Sequence, residues 1–241
     1  SRVMEHSELA WIFNCLTPLG ELQRMTQFKD KTSQHKENIN AGLLTYPCLM
    51  AADILMYKPT AVPVGEDQVQ HVELTRVIAR KFNNRFGKTF PEPKTFMRAP
   101  LRIMSLTDPA KKMSKTGDEA LMLDDSPTEI LRKLKKAVTA TDAKQKSPGV
   151  ENLFLILSHF ADQATVKAFE TQQKNNTIKY SELKQELARI ISEKLAGFRD
   201  KKQELMAHPK QITEILNEGT IKASKIANST LIEVKEKIGL I

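Results

Sequence analysis

The sequence predicts an α/β fold: a parallel-sheet domain short of its first strands, followed by an all-helical domain. Three observations predict it. Residues 60–64, TAVPV, read as a short buried strand that turns at Gly65-Glu66-Asp67 into a helix running to about Phe86. That strand–turn–helix is half of a βαβ unit, which implies a parallel sheet. Only two or three strand candidates occur, fewer than such a sheet needs, so either the fold is mostly helical or strands lie upstream of Ser1. Beyond about residue 118 prolines become rare and apolar residues recur at helical spacing.

Taken in order, residues 1–58 read as helices. Leu9, Ile12, Phe13 and Leu16 recur at three and four, and Leu43 to Tyr57 forms another apolar helix. Pro47 is placed in that helix's first turn, where a missing N–H costs nothing. Pro63 weakens the strand at 60–64. Gly87 stops the following helix. Residues 88–107 are mixed, with prolines at 91, 93 and 100 and a strand candidate at Leu101–Leu106. Three apolar stripes then follow: Ile130, Leu134, Val138; Leu183, Leu187, Ile190, Ile191, Phe198; and Ala227, Leu231, Val234, Ile238. They predict a bundle of four or five helices with basic outer faces. Lys133, Lys135 and Lys136 read as a solvated helix face rather than an RNA contact.

Hydrophobic residues make up 40% and charged residues 27% of the chain, as in a soluble globular protein. No apolar run of about eighteen residues is present, which excludes a transmembrane helix by hydropathy. The first residues lack a signal-peptide pattern. Cys15 and Cys48 form neither a CxxC pair nor a disulfide framework, which fits a cytoplasmic protein. A formal charge of +8 suits a polyanion such as RNA or nucleotide phosphate; a lysine-rich proteome would give the same excess.

Three segments could carry chemistry. KKMSKTG, residues 111–117, follows Asp108-Pro109 and offers flexible lysines and hydroxyls to phosphate oxygens, where ammonium groups offset charge on a leaving group. It is no P-loop, and as bare composition it is a basic loop. In VPVGEDQVQH, residues 62–71, Glu66 and Asp67 favour the helix dipole; the same place is the carboxyl end of a strand, where open α/β sheets bind ligands. There Asp67 could accept ribose hydroxyls, and Gln68 is both donor and acceptor. In LMAADILMY, residues 49–57, Asp53 is a carboxylate within an apolar run. On a buried helix face it would need hydrogen bonds to offset desolvation, from a ligand or from a neighbouring helix cap. Met50, Asp53, Ile54 and Tyr57 lie three and four apart, on one helix face.

The order and spacing of these segments carry a resemblance. KMSKT resembles the KMSKS signature of class I aminoacyl-tRNA synthetases, and GEDQ followed by HVELTR resembles the tryptophanyl-tRNA synthetase family. GELQRMTQFKDK (20–31), AGLLTYPCLMAADIL (41–55), RIMSL (102–106) and EGTIKA (218–223) extend the likeness in the family's order. It implies a Rossmann-type catalytic domain of which 1–117 is the C-terminal part, with dimer-interface helices and the KMSKS-like loop. It implies a helical anticodon-binding domain at 118–225 and a C-terminal helix, 226–241, packing back on the catalytic domain. The implied activity is ATP-dependent activation of L-tryptophan and its transfer to tRNA-Trp, with Mg2+, by a cytoplasmic homodimer.

By the same resemblance Asp53 accepts the indole N–H, with Met50 and Ile54 lining the slot. Tyr46 and Gln68 hold the substrate ammonium. Gly65, Glu66, Asp67 and the backbone near Ile103 contact ribose and adenine. Lys112, Met113, Ser114, Lys115 and Thr116 form the phosphate loop, Lys112 and Lys115 being catalytic; Lys29 and Lys31 resemble further phosphate-side lysines. No metal ligand is implied in the chain. His71 reads as a capping or packing residue, and Trp11 as part of a helix-packing surface near the dimer interface. Thr116 stands where the signature has serine, and a hydroxyl is kept. No HIGH-like tetrapeptide occurs among the five histidines. The expectation is therefore an N-terminally truncated enzyme with little ATP–pyrophosphate exchange alone. A tyrosyl-tRNA synthetase and a non-catalytic tRNA-binding relative are the alternatives.

Overall fold

The computed structural model describes residues 2–34, 39–97, 102–114, 120–139 and 147–241. Its contacts divide the chain into two units, 1–100 with 213–241, and 101–212.

The first unit contains α1 (Glu5–Leu16), α2 (Leu19–Gln23), α3 (Thr26–Gln34) and α4 (Ala41–Leu55). Then come β1 (Ala61–Pro63), a 3-10 turn (Glu66–Gln68), α5 (Val69–Phe86) and β2 (Lys94–Phe96). Asn40 starts α4, its side chain accepting the Leu43 N–H at 3.0 Å. The helix thus begins two residues before the predicted Leu43, and Pro47 lies in its interior, not its first turn. The proline takes a hydrogen bond away from the turn before it. The packed face of α4 carries Cys48, Ala51, Ala52 and Leu55, all fully buried.

The strand at 60–64 forms, shortened to β1, and pairs in parallel with β2 in the register Ala61↔Lys94, Val62↔Thr95, Pro63↔Phe96. It is an exposed strand rather than a buried one, since Ala61 and Pro63 face outward. α5 is the crossover between the two strands and ends at Gly87, whose φ of 94° favours glycine. Asn83 then ties down the return. Its amide oxygen accepts the N–H groups of Thr89 and Phe90, and its Nδ2 donates to the Phe90 carbonyl. Phe90 closes edge-on over Phe13 and Phe82. Ala227, Leu231 and Val234, on the last helix, join the same core.

The second unit opens on a tight hairpin. Ser105 N–H donates to the Lys111 carbonyl at 2.8 Å, and Met113 N–H to the Ile103 carbonyl at 3.0 Å. The strand predicted at 101–106 is therefore one arm of this hairpin, paired across Met104 and Lys112, with Leu101 outside the described residues. α6 (Pro127–Lys136), α7 (Pro148–Phe160), α8 (Gln163–Lys174), α9 (Tyr180–Lys194) and α10 (Ala196–Ala207) follow, and α11 (Pro209–Ile238) runs through the division at 212/213. Ser126, Ser147 and Asp162 cap α6, α7 and α8 through side-chain oxygens. The core is Leu106, Ile130, Leu134, Leu153, Leu157, Leu183, Leu187 and Ile191. Val138 and Phe198, predicted to extend two stripes, lie past the ends of α6 and α9 and are exposed. Lys133, predicted to be solvated, is 6% exposed. It shares the inward stripe of α6 with Ile130, Leu134 and Ala137. Among the described residues no helix is long and apolar enough to cross a membrane, and both cysteines are free.

Candidate active site

In the first unit, the side chains that could meet a ligand sit on α4 and around the carboxyl end of β1. Asp53 points away from the packed face of α4, because it lies two residues from both Ala51 and Leu55. Its side chain is 52% exposed. The premise that it occupies a buried face is thus corrected: an apolar run covers every side of a helix and conceals which side faces inward. Asp53 opens on a cleft of about 910 Å³ together with His6 and Tyr57, bordered by apolar Val3, Leu49 and Leu216. His6 Nδ1 lies 2.5 Å from Asp53 Oδ1, and His6 Nε2 lies 2.8 Å from the Tyr57 hydroxyl. Burial, followed by the charges of Asp53 and Glu5, pushes the Tyr57 phenol above its ordinary value. Met50 is half-buried and Ile54 is 9% exposed; neither borders this cleft.

Tyr46, two turns earlier on α4, meets a different group. Its hydroxyl shares a 2.9 Å hydrogen bond with His71 Nε2, and the Lys31 ammonium stands 5.0 Å from its ring centre. Burial raises the Tyr46 phenol. His71 is 1% exposed, and burial, opposed by Asp67 and reinforced by Lys31, holds its imidazole below its ordinary value. Its Nδ1 is buried without a partner among the described residues.

Glu66, Asp67 and Gln68 are on the 3-10 turn after β1. Gln68 Nε2 donates to Asp67 Oδ2 at 2.6 Å, and Gln27 of α3 donates to the Asp67 carbonyl. A Cβ at Gly65 would stand 2.9 Å from Asp67 Oδ1, so glycine is what lets that carboxylate fold back over the strand end. Gln70 accepts the Thr26 N–H at 2.8 Å, which seats the start of α3, and so Lys29 and Lys31, beside this turn. Lys29 is exposed.

In the second unit, Lys112 is exposed on the hairpin, and Met113 and Ile103 pack against the core beneath it. Ser114 is exposed; Lys115 and Thr116 lie outside the described residues. Two buried polar side chains hold the hairpin's surroundings. Asn152 of α7 accepts from Met104 N–H at 2.9 Å and donates to the Met104 carbonyl at 2.8 Å. Lys133 donates to the Ala120 carbonyl and to both Asp125 oxygens at 2.8–3.0 Å. Sequence reasoning missed both, together with His6. Asn152 and His6 reach partners 48 and 47 residues away, and no local spacing signals that.

Comparison with known proteins decides the family. The pattern described as "tRNA synthetases class I (W and Y)" matches residues 1–196. The chain belongs to that family. The tryptophan–tRNA ligase of Caldanaerobacter subterraneus subsp. tengcongensis is 47% identical, over 100% of this chain and 75% of its own length. That of Clostridium tetani is 42% identical, over 100% of this chain and 73% of its own length. The chain thus spans about three-quarters of these relatives. The crystal structure of tryptophanyl-tRNA synthetase from Campylobacter jejuni, complexed with ADP and tryptophan, superposes with a TM-score of 0.85 at 34% identity. It covers 99% of this chain and 75% of that one. The α/β class, a partial parallel sheet followed by helices, is that of this family.

Proposed function

We propose that the chain acts as a tryptophan–tRNA ligase, using ATP to activate L-tryptophan and passing the tryptophanyl group to tRNA-Trp. The two ligases, aligned along the whole chain, support this reading over a tyrosine enzyme, which the family match alone admits equally. The observation that carries the amino-acid identity is Asp53. One of its oxygens is taken by His6, and the carboxylate faces a cleft of mixed lining in which Val3, Leu49, Ile215 and Leu216 supply apolar surface beside Arg2, Ser7 and Thr220. Indole is a large apolar body with a single donor, and a carboxylate acceptor matches that donor. Phenylalanine would cover the oxygen that His6 leaves open and offer it no donor, a penalty that favours tryptophan.

In this reading the tryptophan carboxylate attacks the α-phosphorus of ATP in line. The bond to the departing pyrophosphate breaks, and tryptophanyl-adenylate forms. A terminal ribose hydroxyl of the tRNA then takes the acyl group and releases AMP. No protein nucleophile is needed; positioning and charge stabilisation supply the rate. Tyr46 and Gln68 hold the ammonium. Gly65, Glu66, Asp67 and the Ile103 backbone meet ribose and adenine; Met50 and Ile54, which do not border the Asp53 cleft, are left without a contact to the indole. Lys112 and Lys115 stabilise the leaving pyrophosphate, with Met113, Ser114 and Thr116 shaping their loop. Among the described residues no group of three His, Cys, Asp or Glu is placed to hold a metal ion. Mg2+ enters this reading as the counter-ion of the ATP phosphates.

Further parts of the reading are a cytoplasmic setting, a basic helical unit that meets tRNA, and a homodimer. Trp11, 69% exposed beside a shallow pocket of α1 and α4, supplies an apolar surface for the second copy. The test of the whole is a thermal-shift comparison. A ligand at a hundred times its Kd stabilises by about 2.7 kcal/mol. Tryptophan is expected to raise the Tm and tyrosine to leave it unchanged. Equal shifts, or tRNA binding with no response to tryptophan, would favour the tyrosyl or the non-catalytic alternative.

A further inference from the structure

His6 stands outside the residues to which the ligase reading gives a role. It comes from the first turn of α1, whereas Asp53 comes from α4 and Tyr57 from the turn just beyond that helix. An ionised carboxylate can only accept, so the 2.5 Å contact requires Nδ1–H to donate to Asp53 Oδ1. In the neutral ring Nε2 is then an acceptor, and it faces the Tyr57 hydroxyl at 2.8 Å. Tyr57 donates there and fixes the tautomer; the two rings meet edge-on, 5.5 Å between centres. The chain Tyr57–His6–Asp53 is consistent in every donor and acceptor. Among the described residues His6 is the one hydrogen-bond partner of Asp53, so Oδ2 keeps its acceptor capacity.

A half-exposed aspartate on a helix would otherwise sample several rotamers and present either oxygen. Anchoring one oxygen removes that freedom before a ligand arrives, and preorganisation of this kind is what makes a polar reader discriminate. We propose that His6 is a positioning residue for tryptophan recognition. It holds Asp53 by one oxygen so that the other is presented to the indole N–H, and Tyr57 keeps the imidazole in the donating tautomer. The inference rests on the assignment of Asp53 as the reader of the indole.

The test measures, by calorimetric titration, the affinity ratio between tryptophan and its benzothiophene analogue, which keeps the ring shape and lacks the N–H. In the unaltered chain the ratio is expected to be about tenfold or more, the size of a hydrogen bond to a charged group. His6→Ala lowers that ratio severalfold while binding of the analogue stays the same. His6→Asn keeps a donor where Nδ1 stands and restores most of the ratio; Tyr57→Phe gives an intermediate value. A merely structural role would weaken both ligands together and leave the ratio intact, and that result overturns the proposal. Asp53→Asn separates the two levels. If it lowers the ratio and His6→Ala does not, the positioning role fails alone. If neither lowers it, or the unaltered chain binds no tryptophan, the assignment of Asp53 fails and takes the proposal with it.

Discussion

Replacing Lys133 by methionine should be the most damaging single change in the second unit that leaves its apolar core intact. The ammonium is 6% exposed and makes three hydrogen bonds: to the Ala120 carbonyl at 2.8 Å and to the two Asp125 oxygens at 3.0 and 2.8 Å. Methionine fills the stem's volume and removes the charge. Asp125, whose side chain is 11% exposed, would then keep a buried negative charge with the Met122 N–H as its remaining close donor. Removing one partner of a buried pair costs about 3–5 kcal/mol, mostly through the charge left behind. The Met122 contact and the wet edge of Asp125 argue for the lower end, about 3 kcal/mol. For a chain of this length that is a fall in Tm of roughly 6–12 °C. The assay is differential scanning calorimetry of Lys133→Met, Asp125→Leu and the double variant. The double variant should recover most of the loss, since an apolar pair removes both charges together. A Tm within about a degree of the unaltered protein for Lys133→Met would refute the reasoning, because ordinary surface substitutions do no more.

Three further outcomes follow from the same coordinates. At Gly149 in the first turn of α7 an added Cβ would meet the Val138 carbonyl oxygen at 2.1 Å and the carbonyl carbon at 2.9 Å. Gly149→Ala should therefore cost about 2 kcal/mol or more in urea denaturation, as overpacking against backbone does. Asn152→Leu removes both hydrogen bonds to Met104 and leaves a main-chain donor and acceptor unpaired. A loss of about 2 kcal/mol and faster amide exchange at Met104 are expected, with Leu153 as an unaltered control. His71 has its ordinary value of 6.5 lowered by burial. The unfolded chain then takes up the proton at higher pH than the folded one. The contribution of His71 to stability is complete above pH 6.5 and is lost as the pH falls through that value toward the lower folded one. His71→Gln should flatten this acid-side loss in a stability–pH profile, and an unchanged profile would contradict it.

Much of this arrangement was legible in the sequence where a local signal existed. The helix from the GEDQ turn to Phe86 is written as an apolar period closed by Gly87, and the strand before it follows from TAVPV. β2 was hidden, because Lys94–Phe96 is three residues long and follows prolines at 91 and 93. Pro47 misleads because a proline early in an apolar run suits a first turn equally well; the deciding residue is Asn40, a cap three positions ahead of the expected start. Lys133 was grouped with Lys135 and Lys136 by charge, although its spacing from Ile130 and Leu134 put it on the inward stripe. At the site, the residues taken from motifs were named in advance. Their partners were not: His6 for Asp53 and His71 for Tyr46 arrive from other elements, and only the packing of α1 and α5 on α4 brings them near.

The central claim is that the Asp53 carboxylate receives the indole N–H of tryptophan. Its most direct measurement is the proton–nitrogen spectrum of tryptophan labelled with ¹⁵N in the indole ring, bound to the unaltered chain and to Asp53→Ala. A charge-assisted hydrogen bond is short and strong, so the indole proton should move well downfield on binding and lose that shift in the variant. An indole proton at the same position in both complexes would contradict the account.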